Sequence, residues 1–252
     1  MIKEIKELLS KYKDFSIFDL TYGAGGHSEL FLSLTDQVKA LDRDKQAQKY
    51  KNNQIPLYED TFSNIDKYSQ GEDFFFGDLG MSTMQLESDR GFSYQKDGDL
   101  SMNMGFGKDL KYVLKYMNYP ELVSIIKTYG EEKKAKIISK NIIKYREKKY
   151  IKTSLQLREA IKIDDFKLLS RVFQAFRIYV NQELEEINIL CNKLPKLTKK
   201  GVLFLTFHSL EDRLIKNFTK KFPINGFILP SEEEIEKNPK ARSVKLRYGL
   251  IE

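Results

Sequence analysis

Short apolar runs rich in β-branched and aromatic residues recur along the chain: "FSIFDL" (15–20), "QVKALD" (37–42), "IPLYED" (55–60), "DFFFGDLG" (73–80) and "GVLFLTF" (201–207). Most are separated by polar stretches that can hold a helix, as in "SELFLSL" and "DKQAQKYKNN". Strands alternating with helices imply crossover connections, and therefore a mainly parallel, doubly wound sheet. The alternation then stops. Between about residues 105 and 170 the text reads as helices: "DLKYVLKYM", "PELVSIIKTY" with its proline in the first turn, "EEKKAKIISKNIIKYREKK" and "SLQLREAI". The pattern predicts an α/β fold in which residues 1–104 and 171–252 build the sheet. A helical domain, 105–170, is inserted between the fourth and fifth strands.

A long helix is predicted over 171–194, "RVFQAFRIYVNQELEEINILCNKL". Val172, Phe176, Val180, Leu184, Ile187 and Leu194 recur at helical steps as a core stripe. Arg171, Gln174, Arg177 and Asn181 follow a second line, which faces either a cleft or solvent.

Charge follows the same boundary. The chain carries 43 Lys and Arg against 36 Asp and Glu, and Lys108 to Ser170 alone holds 16 against 8. The insertion therefore accounts for the whole basic excess and is the segment expected to face nucleic acid, a solvated lysine-rich surface being the alternative. One cysteine, Cys191, excludes a disulfide framework and a multi-cysteine metal site. With only two histidines besides, no metal is expected. The N-terminus "MIKEIKELLSKYKD" lacks the apolar core of a signal peptide, and no later stretch resembles a membrane span, so a soluble, cytoplasmic protein is expected.

Candidate chemistry concentrates in "DLTYGAGGHS" (19–28), directly after the first strand. Loops at the carboxyl edge of a doubly wound sheet lie beside the ligand crevice, and Gly23, Gly25 and Gly26 let backbone approach a ligand closely. By itself such a loop is also an ordinary tight turn. Asp42, 19 residues beyond Gly23 at the end of the second strand, is placed to accept both hydroxyls of a ribose. A nicotinamide cofactor and S-adenosylmethionine both carry one. The G-x-G-G-H spacing and the carboxylate of Asp19, or a neighbouring one, suit an amino-bearing methionine moiety better than a diphosphate. Phe62, after the third strand, is either an adenine cover or core, and Asp78 ends the fourth strand as a hydrogen-bond acceptor.

Seven blocks, "DLTYGAGGHS", "LDRD", "DLGMSTMQLESDRGFSY", "YGEEKKAKIISKNI", "RVFQAFRIYVNQEL", "FHSLEDRLIK" and "NPKARSVKLR", occur in this order from Asp19 to Arg247. Together they resemble the signature set of the MraW (RsmH) family. The resemblance implies a Rossmann-like class I methyltransferase fold with an inserted helical domain. It also implies S-adenosylmethionine as cofactor, and as target the exocyclic N4 of a cytidine in the decoding region of small-subunit (16S) ribosomal RNA. Carried over by motif, the cofactor contacts are Gly25, Gly26, His27, Asp42, Phe62, Asp78 and Gln85. The target nitrogen is conjugated with its ring, so an acceptor for one N–H helps it to align with the methyl group. Asp78, or a backbone carbonyl in "DLGMS", is a candidate for that role, and His208 and Ser209, ending the fifth strand, could contact the base or take up the proton. The RNA partner is free ribosomal RNA or the assembled small subunit, and a homodimer is a further partner to consider.

Two regions depart from the family pattern. "DLSMNM" (99–104) stands where D-L-D-M-R-M is usual, so that Ser101 replaces an acid and Asn103 an arginine. The N-terminal segment resembling H-x-P-V-L-L-x-E does not occur. Ser101, Asn103, Arg177, Asn181 and Ser209 are the candidate target contacts. Two alternatives accompany the leading function: the same chemistry on another RNA or DNA, and a cofactor-binding ribosome assembly factor without catalysis.

Overall fold

A computed structural model describes the backbone of residues 1–252 and all side chains except those of Lys237, Pro239 and Lys240. The last two fall in the "NPKARSVKLR" block, so their part of that block lies outside the described side chains. The chain divides into two compact units, Met1–Gly80 with Leu184–Glu252, and Met81–Glu183.

The first unit is built on seven strands: β1 (Ile17–Asp19), β2 (Val38–Asp42), β3 (Leu57–Glu59), β4 (Phe74–Asp78), β5 (Gly201–Thr206), β6 (Ile224–Ile228) and β7 (Lys245–Leu250). Their order is β3-β2-β1-β4-β5-β7-β6, with β1 to β5 parallel and β7 antiparallel to both neighbours. The five predicted strands are all present. The sheet is mainly parallel, as expected, and becomes mixed through β7, antiparallel to β5 and β6; the sequence reading placed neither β6 nor β7. β6, "INGFI", is an edge strand with no fully buried residue, and its Asn-Gly pair reads as a turn.

Side-chain alternation in the central strands covers both faces. Phe74 and Phe76 of β4 join Ile17, Leu203 and Leu205 in one cluster, with Ile5 and Leu9 of helix α1 (Ile2–Leu9) and Phe31 of α2 (Gly26–Leu32). Phe75 points the opposite way, into Phe18, Leu41, Val202 and Phe204. A strand buried on both faces has no polar positions to alternate with, which is why β4 reads as a continuous apolar run. Each such phenylalanine contributes roughly 1.5–3 kcal/mol relative to exposure.

The second unit is helical: α3 (Thr83–Glu87), α4 (Leu110–Tyr116), α5 (Tyr119–Gly130), α6 (Ala135–Arg146), α7 (Ser154–Ile161) and α8 (Phe166–Asn181). It extends beyond the predicted 105–170 at both ends. Phe92, Leu100, Met102 and Met104 on one side, and Val172, Phe173, Phe176 and Val180 on the other, bury in its core with Leu122, Ile138 and Leu157. The helix predicted over 171–194 is two helices. Gln182, in a left-handed conformation with φ of 52°, ends α8, and α9 (Glu183–Lys193) follows. The single apolar stripe thus serves two cores, because Ile187 and Leu194 bury with Phe18 and Phe204 of the sheet unit. No described helix is long and apolar enough to cross a membrane.

Candidate functional site

Chain winding reverses at β1: β2 and β3 lie to one side and β4 and β5 to the other. Ligands of such sheets bind beyond the carboxyl ends of the strands at this switch point. Three aspartates end strands there, Asp19 on β1, Asp42 on β2 and Asp78 on β4.

Asp19 is wholly buried. Its Oδ2 accepts the Ser28 hydroxyl at 2.6 Å and its Oδ1 the Thr21 N–H at 3.0 Å. Burial pushes its carboxyl up to about 7, against the opposing effect of these two donors. Thr21 Oγ1 in turn accepts the N–H of Asp78 at 2.7 Å, which ties the glycine loop to β4. Asp19 therefore shapes the loop from beneath. Of the carboxylates expected to meet a ligand's amino group, Asp19 or a neighbour, Asp19 itself has no accessible surface to offer.

Asp42 holds the loop from the other side. Its Oδ2 accepts the Gly23 N–H at 2.7 Å and its Oδ1 the Asp44 N–H at 2.8 Å. Each carboxylate oxygen can accept twice, so both retain capacity for a hydroxyl donor. Burial raises this carboxyl to about 6.

Gly25 has φ of +89°, and a Cβ there would stand 2.8 Å from Tyr22 Oη. That hydroxyl is anchored, donating to the Tyr50 carbonyl at 2.8 Å and accepting the Asn52 N–H at 2.9 Å. Nothing would meet a Cβ on Gly26 within 4 Å, so open space adjoins the loop where a ligand can lie against backbone.

His27 packs on Phe76 with ring centroids 4.7 Å apart. Its Nδ1 is 3.6 Å from Asp78 Oδ2, too far for a hydrogen bond. Burial lowers its pKa to about 4, so near pH 7 the ring is neutral and offers one N–H. Asp78 Oδ1 accepts the Gly80 N–H at 3.1 Å, and burial, with the charge of Glu211 adding to it, raises the Asp78 carboxyl to about 6.

His208 is the N-cap of α10 (Ser209–Thr219): its Nδ1 accepts the Glu211 N–H at 3.4 Å. Its Nε2 lies 2.8 Å from Glu211 Oε1 without hydrogen-bond alignment. Ser209 opens the helix. Glu211, missed by sequence reasoning, is buried and accepts the Phe207 N–H at 3.1 Å. The Phe207 ring lies against Gly80, where a Cβ would come within 2.5 Å of it. Glu211 thus supports the turn that follows Asp78, and its legible signal was the H-x-x-E spacing of a helix start. Phe62 begins a short 3-10 helix, Phe62–Lys67, and half-buries against the cluster containing Phe18 and Leu41.

The remaining candidates belong to the helical unit. Gln85 is buried and closes a capping box with Ser82 at the start of α3. Ser101 donates to Asp109 Oδ1 at 3.0 Å, while Asn103 donates to the Gly107 carbonyl at 2.8 Å and accepts the Gly105 N–H at 2.7 Å. The two departures in "DLSMNM" are thus used in folding their own loop. Arg177 pairs with both oxygens of Glu183, at 2.8 and 2.9 Å. Asn181 is buried, accepting the Met104 N–H at 2.9 Å and donating to the Met102 carbonyl at 2.8 Å. Its side chain thus clamps the Met102–Met104 backbone.

Residues 1–226 match the MraW methylase family. The chain is 37% identical to ribosomal RNA small subunit methyltransferase H of Sulfurihydrogenibium sp. (strain YO3AOP1), over 98% of this chain and 96% of that protein. The protein of the same name from Petrotoga mobilis is 36% identical over 98% of each, and that from Hydrogenobaculum sp. is 34% identical over 100% of this chain and 94% of its own. The blocks quoted from Asp19 to Arg247 are thus part of a likeness that runs through both units. The chain belongs to the MraW methylase family.

Proposed function

We propose that this protein transfers a methyl group from S-adenosylmethionine to the exocyclic N4 of a cytidine in the decoding region of small-subunit ribosomal RNA, in the cytoplasm. The observation that carries the reading is the carboxyl edge of the sheet. An open glycine backbone, an Asp42 carboxylate with accepting capacity to spare and a strand-end Asp78 adjoin one switch point, in a chain that matches its relatives nearly end to end. The donor set fits the cofactor. Asp42 would hold the ribose through its spare lone pairs, Gly25 and Gly26 would take the methionine moiety, His27 would donate its N–H, Phe62 would cover the adenine, and Gln85 would add an amide. When bound, the cofactor supplies a methyl group on a positively charged sulfur.

The chain's own residues handle the amino group. Ionised Asp78 accepts one N–H of the target amine while the nitrogen turns its lone pair toward the methyl group. The methyl group would come from the bound cofactor, and the proton released from the nitrogen would pass to Asp78 or water. His208, capped onto α10, positions the strand end and its neighbour Ser209 beside the base. Reaching the base requires an unstacked nucleotide, and the basic helical unit holds the flanking phosphates.

The test uses small subunits from cells lacking the modification, with radiolabelled cofactor. Incorporation into RNA by the wild-type protein, lost in Asp42→Ala at limiting cofactor, supports the reading. Tight cofactor binding without any incorporation would mark a non-catalytic assembly factor instead.

A further inference from the structure

The helical unit carries an aromatic surface that its core does not use. Tyr112 and Tyr116, one turn apart on α4, are 54% and 75% exposed. Helices normally turn such rings inward, since an exposed ring forgoes its burial contribution. Here the inward positions of α4 are already taken by Leu110 and Leu114, both buried.

Lysines alternate with these rings. Lys115 Nζ lies 5.1 Å from the Tyr116 ring centroid and 5.7 Å from that of Tyr150, while Lys152 Nζ is 5.8 Å from Tyr150. Lys111 sits 5.6 Å from the Tyr112 ring. Tyr150 is held in place, its hydroxyl donating to the Lys111 carbonyl at 3.0 Å. Lys111 is neutralised by Asp99 at 2.7 Å, but neither Lys115 nor Lys152 makes an ion pair among the described residues. Their charges are met only by ring faces. Two exposed rings and the half-buried Tyr150, interleaved with uncompensated cations, suit a strand that presents bases and phosphates in alternation.

We infer that Tyr112, Tyr116 and Tyr150, with Lys115 and Lys152, form a stacking platform for unpaired RNA, a binding surface separate from the cofactor site. The inference rests on the proposal that the substrate is RNA, and it adds which part of the RNA is held and how. A duplex keeps its bases stacked on one another and so gains little from the rings. Single-stranded RNA gains from each ring it covers and from each phosphate neutralised.

The test measures binding of a fluorescein-labelled twelve-nucleotide oligoadenylate to the full-length protein by anisotropy. It compares wild type with Tyr116→Phe, Tyr112→Leu/Tyr116→Leu and Lys115→Gln. The double leucine variant should bind about tenfold or more weakly, and Tyr116→Phe within twofold of wild type. Lys115→Gln should flatten the logarithmic salt dependence by about 0.7, one phosphate contact on a single strand. The KM for small subunits should rise in the double leucine variant with kcat retained. Unchanged oligonucleotide affinity in that variant, with its thermal midpoint preserved, would overturn the inference, as would an equal loss on duplex RNA. Loss of a protein contact on the subunit with oligoadenylate binding intact would assign the surface to a protein partner and also overturn it. Failure of the RNA-methylation proposal has a different mark, absence of methyl transfer by the wild-type protein itself.

Discussion

At the scale of single residues, the site is a set of carboxylates held at the edge of ionisation. Asp42 was legible in the sequence because its distance from the glycine loop follows from a strand-helix-strand unit. Asp19, Thr21 and Ser28 were not legible as a network, because their hydrogen bonds depend on how the loop folds back over β1 and β4. Asp42→Ala should weaken cofactor binding roughly 10- to 100-fold by calorimetry, the loss of charge-assisted hydrogen bonds to a ribose. Ribose hydroxyls donate best to the ionised form, so binding pulls the Asp42 carboxyl below its unliganded value of about 6. Cofactor affinity should then rise between about pH 5 and 7 with proton release, read from calorimetry in buffers of different ionisation enthalpy. An affinity independent of pH over that range would separate Asp42 from the ribose.

The same carboxylates bear on stability, with a definite sign. The folded-state values of Asp19, Asp42 and Asp78 are raised, to about 7, 6 and 6, above the ordinary aspartate range near 4. Their contribution is fully present below about pH 4 and is lost as pH rises through 6 to 7, because only the unfolded chain ionises them freely. Asp19→Asn, which preserves an acceptor for Thr21, should reduce the fall in thermal midpoint between pH 5 and 8. An identical fall in wild type and variant would contradict this assignment.

At the scale of elements, patterning identified β1, β2, β4 and β5 because packing buries most of each, and β3 because Ile55 and Leu57 bury while Tyr58 half-buries. It passed over β6, whose residues are exposed or half-buried at the sheet edge. It also joined α8 and α9, since a left-handed Gln182 changes the chain direction without interrupting the helical spacing of apolar residues. The polar line along α8 is likewise not a cleft surface as a whole: Asn181 holds the Met102–Met104 backbone. Asn181→Leu leaves a buried N–H and a buried carbonyl unpaired and should cost about 2–4 kcal/mol, measured by urea unfolding. Loss of less than about 0.5 kcal/mol would show that those groups find other partners.

At the scale of the whole molecule, charge and fold divide the labour. The helical unit, Met81–Glu183, contains 20 Lys and Arg against 13 Asp and Glu, whereas the sheet unit contains 23 of each. The sequence reading placed the inserted helical domain at 105–170, whereas the compact helical unit is Met81–Glu183. Phe92 to Met104 lacks helical periodicity, although it buries among the helices. The KM for small subunits should rise steeply with salt while cofactor affinity stays nearly flat, because phosphate contacts release counterions and the proposed cofactor contacts, Gln85 apart, belong to a unit of balanced charge. Equal salt dependence of the two would argue against the helical unit as the RNA-holding part.

The most direct measurement identifies the product. Small subunits lacking the modification are incubated with the protein and S-adenosylmethionine, the RNA is digested, and the fragments are read by mass spectrometry. A single methyl group on the N4 of a decoding-region cytidine, absent with Asp78→Asn, is the predicted result. A methyl group at another position, or on another nucleic acid alone, would contradict the proposed target.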